Sequence, residues 1–340
     1  MTETVVPACR AKDGTRCVAH TRAYRGGQVV EEGFDVQNVS DHLAVEGTVV
    51  WLDLFAPDEA DLSVLVEELG LHPLAVEDAL HESQRPKLDR YEDHLFLSAY
   101  AVRFDTQTAL LDVEQVSAFI TTNALVTVRR GDALPLTELL GRWDGAHDEG
   151  ASGVAFLLHG LLDLLVDSHF AAVQDLDDQL DAIEETLFDA KPRSRELQRR
   201  SFQVRKSLVL LRRVVLPMRE VVNALLRRDL HVVDDTMQPY YQDVYDHVLR
   251  VSEWTESLRD LISTILETNL TLQGNRLNEV MRSLAAGAAL LAVTTAVTGF
   301  YGQNVPSPGY GDRSGFIVST VLLVGITGGL YLLLKKRGWL

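Results

Sequence analysis

Cysteine is scarce in this sequence, and the patterns that nucleotide-driven or enzymatic chemistry needs are missing. Its two cysteines, Cys9 and Cys17, have no histidine pair nearby, so we interpret them as spare thiols rather than as a zinc site. No glycine-rich phosphate cradle and no nucleophile and base set emerge from the spacing, so we predict that the protein is not an enzyme. The formal net charge of -17 argues against a nucleic-acid partner and is compatible with cations.

The N-terminal stretch also lacks the apolar segment of a secretory signal. MTETVVPACRAKDGTRC contains acidic residues and no apolar run, so we expect no cleavable signal there. We predict that residues 1–25 form a disordered tail and that a cytoplasmic α/β domain covers residues 26–150. A cytosolic location would keep both cysteines reduced.

Residues 47–130 alternate between strand-like and helix-like patterns. The run GTVVWLDLFAP, which begins at Gly47, predicts a buried strand. A helix should follow, with Asp58 as its cap and Gly70 at its end, and a second helix should cover Pro73 to His81. Three further strands are predicted at Leu95–Phe104, Val113–Ile120 and Ala124–Val128. Strands interleaved with short helices indicate an α/β domain.

Beyond residue 150 the apolar residues recur at helical spacing. One helix is predicted within residues 151–189, with an acidic outer face from Asp175 to Asp189. A second should run from about Ser194 to Leu230, with a basic outer face and a kink at Pro217. The opposite charges predict an antiparallel pair over residues 151–237, although each exposed ion pair contributes only a few tenths of a kcal/mol. We interpret the acidic face as solvated surface; the alternative is that it concentrates cations.

Charge is absent from two stretches near the C-terminus. Residues 283–301 and 314–334 contain no charged side chain, and each stretch is long enough to cross about 30 Å of hydrocarbon as a helix. The connection over residues 302–313 contains Pro306 and Pro308, so we predict an external loop that returns the chain through the membrane.

Basic residues flank this hairpin and predict its orientation. Arg276 and Arg282 precede the first span, a basic tail over residues 335–340 follows the second, and the loop offers only Arg313 beside Asp312. By the positive-inside rule, both termini should be cytoplasmic in a multi-pass protein of the cell (inner) membrane.

The first span is predicted to be the end of a much longer helix. Pro239 is acceptable in a first turn, and no proline follows it before Pro306. A helix over residues 238–301 would be about 64 residues or roughly 95 Å long. Only about 30 Å of that length fits the bilayer, so we expect the remainder to form a cytoplasmic stalk.

Several motifs together resemble the CorA family of divalent-cation channels. The family carries a Gly-Met-Asn signature after a tyrosine at the end of the first of two C-terminal spans, and this chain has Tyr301-Gly302-Gln303-Asn304 there. The other similar motifs are LHPLAVED at 71–78, QRPK at 84–87, PMREV at 217–221, PYYQDVYDH at 239–247, NEVM at 278–281 and KKRGWL at 335–340. The resemblance covers roughly residues 45–340.

This resemblance implies an α+β membrane protein with an N-terminal α/β domain, a long helical stalk and two C-terminal transmembrane helices. It also implies a funnel-shaped homopentamer whose first transmembrane helix lines one central pore. Small or weakly polar residues recur along one face of that helix. They are Asn278, Met281, Ala285, Ala288, Ala292, Thr295 and Gly299, and Leu284 is also predicted to line the pore. Close helix packing explains small residues equally well from the sequence alone, and the resemblance favours a pore.

At the outer end of the pore, the resemblance implies a selectivity mouth formed by residues 301–304. Mg²⁺ keeps several of its waters, so a ring of five Asn304 amide oxygens and an exposed Gly302 carbonyl group would suit the hydrated ion. The alternative interpretation is that Asn304 and Gly302 cap the helix.

The chain departs from the family pattern at two positions. Gln303 stands where the family has methionine, and Val293 or Thr294 replaces the proline usual in the middle of the first span. The acidic residues common in the family's external loop are nearly absent here. These departures leave the ion preference open.

The resemblance further implies a regulatory site at which a divalent ion bridges neighbouring subunits through two aspartates. By position these are Asp78 and Asp243, and carboxylate oxygens suit a hard cation. The alternative is that each aspartate caps or solvates a helix. Glu267 could form a ring that attracts cations, or it could only solvate the stalk.

We therefore predict an influx channel for Mg²⁺, with Co²⁺ or Ni²⁺ as further ions, gated by cytoplasmic divalent ions. Mg²⁺ would be both substrate and regulatory ligand, without an organic cofactor, and the partners would be further copies of the chain, lipid and divalent cations. One alternative is a zinc transporter of the ZntB-like branch. Zinc favours His or Cys, and neither occurs between Asn269 and Leu340. The other alternative is a membrane-anchored sensor that conducts no ions.

Overall fold

The structure is a computed structural model that describes residues 18–81, 85–145, 153–187, 194–227, 230, 232–303, 309 and 311–339. Within these residues the strands join in one sheet. They are β1 (Val18–Arg25), β2 (Gln28–Glu32), β3 (Thr48–Phe55), β4 (Lys87–Arg90), β5 (Leu95–Asp105), β6 (Leu110–Ile120) and β7 (Ala124–Arg129). The helices are α1 (Val39–Leu43), α2 (Glu59–Leu69), α3 (Pro73–Leu80), α4 (Leu136–Gly145), α5 (Val154–Leu187), α6 (Ser194–Leu225), α7 (Gln238–Tyr301) and α8 (Arg313–Lys336).

The sheet is mixed, in the order β2-β1-β3-β7-β6-β5-β4. The pair β3 and β7 is parallel, and every other neighbouring pair is antiparallel. The strands predicted within residues 47–128 are confirmed. The hairpin of β5 and β6 is longer than predicted, because pairing continues from Leu95 opposite Ile120 to Asp105 opposite Leu110.

Strand β1 contradicts part of the predicted N-terminal tail. It pairs with β3 along its whole length and with β2 on its other edge. The prediction of a tail is therefore wrong for residues 18–25, and residues 1–17, with both cysteines, lie outside the described residues. The sequence hid this strand because its inward residues, Ala19 and Ala23, are small. Arg22, whose charge would suggest an exposed position, is nearly buried between the carboxylates of Glu32 and Asp144.

Helix α2 begins and ends where the sequence predicts. The Asp58 carboxylate accepts a hydrogen bond from the Asp61 backbone N–H at 2.8 Å, and the Asp61 carboxylate accepts one from the Asp58 N–H at 3.0 Å. This reciprocal pair satisfies donors that the first turn leaves free. Gly70 ends the helix with a φ of 66°, in the left-handed region that glycine adopts without strain.

Helices cover both faces of the sheet. One hydrophobic cluster joins the sheet to α1, α2 and α3, and contains Leu52, Leu62 and Val76. The other joins the opposite face to α4, α5, the end of α6 and the start of α7, and contains Trp51 and Leu158. The buried sheet is therefore the middle layer of three, as expected for an α/β domain.

Helices α5 and α6 pack on this domain as an antiparallel pair. Arg200, near the start of α6, contacts the Gln179 side chain near the end of α5. The His169 ring of α5 donates a hydrogen bond from Nε2 to the Tyr100 carbonyl oxygen of β5 at 2.8 Å. Pro217 lies inside α6, which ends at Leu225 rather than near the predicted Leu230. Residues up to Ser263 form one compact unit, and Thr264–Leu340 form a second.

The predicted long helix is confirmed, since α7 continues without a break from Gln238 to Tyr301. Among the described residues, α5, α7 and α8 are long and apolar enough to cross a membrane. In α5, 67% of the most apolar window is buried in the protein, whereas only 6% is buried in α7 and in α8. The apolar surface of α5 is thus accounted for by the core, and that of α7 and α8 is not.

Candidate ion path and regulatory carboxylates

The second unit exposes the face of α7 that the sequence singles out. Each of the eight residues predicted to line a pore, from Asn278 to Gly299, is exposed in the single chain. The shielded residues of the same helix segment include Ala286, Leu290 and Val297. At about 100° per residue, the shielded residues lie on the side of the helix opposite the predicted lining. Packing within the chain therefore leaves the predicted lining uncovered.

The exposed face of α7 also carries side-chain oxygen atoms, at Glu267 near the start of the second unit and at Thr295 nearer the end of the helix. Glu267 is exposed and lies about three helical turns before Asn278, so both project from the same side of α7. The Thr295 hydroxyl donates to the Leu291 carbonyl oxygen at 2.8 Å. Its proton is thereby committed to the helix, and its lone pairs remain as acceptors. A path along this face would offer oxygens to a hydrated cation.

The predicted mouth begins where α7 ends. The Gly302 N–H donates to the Thr298 carbonyl oxygen at 2.9 Å and so extends the last turn by one residue. A methyl group on Gly302 would also lie 2.9 Å from that oxygen, too close for an undisturbed turn. Gln303 is exposed, and Asn304 lies outside the described residues. The proposed ring of Asn304 amides therefore stays a prediction.

Backbone contact fixes the start of α8. A methyl group on Gly315 would lie 2.2 Å from the carbonyl oxygen of Gly309, so only glycine permits this approach. Gly309 has a φ of 88° and Gly311 a φ of 85°, both in the left-handed region. These glycines permit the close approach of Gly309 to the first turn of α8.

Asp78, the first predicted regulatory ligand, lies in the last turn of α3. His72 caps that helix by accepting a hydrogen bond from the Leu74 N–H, and Pro73 occupies the first turn. The Asp78 carboxylate contacts the Lys87 ammonium of β4 at 2.6 Å, and the same ammonium lies 2.6 Å from Asp89. Burial lowers the pKa of Lys87, but the hydrogen bonds to both carboxylates outweigh it and leave that pKa above its ordinary value. Lys87 is therefore a full positive charge between two carboxylates.

Asp243, the second predicted ligand, is an exposed residue of α7. Its carboxylate lies 3.9 Å from Nδ1 of His247, one turn further along the helix. Among the residues that the structure describes, no group of three or more His, Cys, Asp and Glu side chains is placed to hold a metal ion. Within this part of the chain, Asp78 and Asp243 are therefore not members of one such group.

Lys87 and Asp89 were not predicted as neighbours of Asp78. The spacing of Lys87 and Asp89 could have predicted that their side chains are neighbours, because residues two apart in a strand point to the same face. The contact with Asp78 could not be read from spacing, since it depends on how α3 packs against β4 at the edge of the sheet.

Comparison with known proteins gives consistent family matches. Residues 46–336 match the family described as CorA-like Mg²⁺ transporter protein. The cobalt/magnesium transport protein CorA of Thermotoga maritima is 30% identical over 298 residues, which is 86% of this chain and 84% of that protein. The zinc transport protein ZntB of Yersinia pseudotuberculosis is 25% identical, over 85% of this chain and 86% of that protein.

The fold is also similar to a solved structure. The complete structure of the CorA magnesium transporter from Methanocaldococcus jannaschii superposes with a TM-score of 0.77 at 21% identity. The match covers 95% of this chain and 98% of that one. A likeness at this identity establishes the fold alone, which comprises an N-terminal mixed α and β domain, a long helix and C-terminal apolar helices.

Proposed function

Since this chain belongs to the CorA-like Mg²⁺ transporter family, a family of divalent-cation transporters, we propose that it is a membrane channel that admits Mg²⁺ to the cell. Co²⁺ and Ni²⁺ are its proposed further substrates. The name of the Thermotoga relative, a cobalt/magnesium transport protein, supports this choice of ions. The family consists of transporters, so we propose no catalytic activity and no organic cofactor.

The exposed face of α7 carries the proposal. It runs from Glu267 to Gly299, opposite the shielded face, and presents small and oxygen-bearing side chains together with the larger Met281 and Leu284. Copies of such a helix around a symmetry axis would line a path for a hydrated ion. We propose that the assembly is the homopentamer that the family resemblance implies, with residues 301–304 at the outer mouth and both termini in the cytoplasm.

Entry of the ion would be passive. The membrane potential contributes about 2.3 kcal/mol per charge per 100 mV, so it favours inward movement of a divalent cation without nucleotide hydrolysis. We propose that cytoplasmic divalent ions close the channel by bridging Asp78 of one subunit and Asp243 of the next. Loss of such an ion would leave like charges facing each other, and the subunits would move apart.

Zinc transport is the second candidate, and the similarity to ZntB proteins favours it. The composition of the proposed path argues against zinc transport. Zinc prefers His and Cys ligands, and neither residue occurs from Asn269 to Leu340. Flux of Zn²⁺ and Mg²⁺ into liposomes, each with and without a pH gradient, distinguishes the two. A faster, proton-dependent Zn²⁺ flux would replace our proposal.

A bulky side chain on the exposed face of α7 tests the path directly. Ala292→Phe should reduce Mg²⁺ flux into liposomes at least about tenfold, because it fills a path that must pass a hydrated ion. Asn304→Ala should reduce flux as well, by removing the proposed ring of amides. The measurement is Mg²⁺ entry reported by an indicator dye inside the liposomes.

Val293→Phe is the matched control. Val293 is adjacent in sequence and half-buried, and it lies about 100° around the helix from Ala292, toward the shielded side. Its substitution should leave flux within about twofold of the unmodified protein. Equal losses from both variants would mean that this face of α7 does not line the path.

A further inference from the structure

The Lys87 side chain links two carboxylates in the way that a bound metal ion would. Its Nζ atom lies 2.6 Å from Oδ2 of Asp78 and 2.6 Å from Oδ2 of Asp89. The three side chains are partly shielded, with exposed fractions of 29% for Lys87, 24% for Asp78 and 38% for Asp89. The contacts are therefore less screened than those of a fully exposed ion pair.

The local fold explains why these groups meet. Lys87 and Asp89 are alternate residues of strand β4, so both project from the same face of the sheet edge. Helix α3 packs against that face and brings Asp78 to it, while the Gln115 side chain donates to the Asp78 carbonyl oxygen at 3.4 Å. The centroid of the Phe96 ring lies 5.7 Å from the Lys87 ammonium, which is a cation–π contact.

The Lys87 ammonium and a divalent cation would compete for the Asp78 carboxylate. A divalent cation that binds the Asp78 carboxylate must share its negative charge with the Lys87 ammonium, which already donates a hydrogen bond to Oδ2. The ammonium and a metal ion bound to the same carboxylate would also repel each other, because both are positively charged. Asp89 offers the ammonium a second partner, so Lys87 can release Asp78 without losing all its hydrogen bonds.

We propose that Lys87 is a built-in competitor of the divalent ion at Asp78, and that Asp89 sets the strength of the competition by retaining Lys87 when the ion binds. The inference rests on the proposed regulatory role of Asp78. Lys87 and Asp89 then act as affinity-determining residues that need not touch the ion. Their substitutions should shift the affinity in opposite directions.

Mg²⁺ titration of the full chain in detergent tests this competition. Calorimetry without other divalent ions should reveal a binding step that Asp78→Asn removes, and the midpoint of that step is the readout. Lys87→Met should lower the midpoint roughly threefold to tenfold, because the ion no longer displaces an ammonium. Asp89→Asn should raise it by a similar factor, because Lys87 then pairs with Asp78 alone.

Two nearby variants control for general charge effects. Arg85→Met removes a positive charge two residues before Lys87, and Asp93→Asn removes an exposed negative charge beyond β4. Both should keep the midpoint within about twofold of the unmodified protein. Lys87→Arg, which preserves charge and fold, should not lower the midpoint.

The outcomes separate the inference from the proposed function. If Asp78→Asn removes no binding step, the regulatory site itself is overturned, and the competition with it. If Asp78→Asn removes the step but Lys87→Met does not lower its midpoint, or Arg85→Met lowers it equally, the competition alone is overturned. Opposite shifts from Lys87→Met and Asp89→Asn, with both controls unchanged, support it.

Discussion

Helices α5 and α8 are both long and apolar, but they meet different surroundings. The rest of the protein buries 67% of the most apolar window of α5 and only 6% of that of α8. Leu158, Leu161 and Leu165 of α5 are fully buried in the core that covers one face of the sheet. On α8, large side chains such as Phe316 and Val321 are exposed in the single chain.

The arrangement of polar residues around each helix explains this difference. Helix α5 carries exposed acidic residues such as Asp178 and Asp181 on the side away from its leucines, as an amphipathic helix in water does. No charged side chain occurs on α8 from residue 314 to 334, so it offers no face suited to water. Mean hydropathy alone would treat both helices as membrane spans. The distribution around the helix assigns α5 to a core, and we expect α8 to lie in lipid.

A buried charge should produce the largest contrast between the two helices. Leu162→Asp places a carboxylate at a fully buried position of α5 and should cost more than about 4 kcal/mol of stability, enough to unfold the first unit. Val324→Asp, at a 65% exposed position of α8, should spare that unit and cost roughly 3 kcal/mol in membrane insertion. Near-UV circular dichroism of Trp51 and Trp143 reports the core, and carbonate extraction of membranes reports integration.

The two readouts should respond to different variants. Leu162→Met and Val324→Ala are the conservative controls, and both should behave as the unmodified chain does. Loss of the tryptophan signal in Val324→Asp, with membrane integration intact, would show that α8 belongs to a protein core instead.

The α/β domain and its long helices were largely predictable because local patterns specify them. The Asp58 cap and the Gly70 terminus bound α2, and the absence of proline between Pro239 and Pro306 allows the uninterrupted α7. Strand β1 was missed because a strand of small alternating residues gains its stability from β2 and β3, which are distant in sequence or unpredicted.

The candidate sites were predictable only in part, for a similar reason. Helical spacing identified the exposed face of α7, whose residues are all on one element. The carboxylates of Asp78 and Asp89 meet through Lys87 only once α3 has packed beside β4. Contacts between elements of this kind depend on tertiary packing, which periodicity does not encode.

Low pH should destabilise the packing of α5 through the buried imidazole of His169, and α8 contains no histidine. Burial lowers the pKa of His169 from its ordinary value of 6.5 to about 4, although its hydrogen bond to the Tyr100 carbonyl oxygen opposes the shift. Between these two values the unfolded chain binds a proton that the folded chain does not. Stability should therefore be unaffected by this group above pH 6.5 and fall by about 3 kcal/mol as the pH drops to about 4.

Thermal denaturation of the full chain in detergent, measured across that pH range, checks this expectation. His169→Gln lowers stability at neutral pH but removes the titrating group, so its midpoint should depend less steeply on pH between 6.5 and 4 than that of the unmodified chain. An unchanged slope would assign the acid sensitivity to other groups.

Glycine-to-alanine substitutions offer the finest comparison of the two helices. A methyl group on Gly160 of α5 would lie 2.4 Å from the buried Nε1 atom of Trp143. Overpacking there costs about 1–3 kcal/mol, and the roughly 1 kcal/mol that alanine gains in helix propensity offsets part of it, so the first unit should lose up to about 2 kcal/mol of stability. At Gly325 of α8 no atom lies within 4 Å of the added group, so alanine should be neutral or slightly stabilising. Thermal midpoints of the assembled protein in detergent measure both effects, and a marked loss from Gly325→Ala would mean that another chain, rather than lipid, packs against this face of α8.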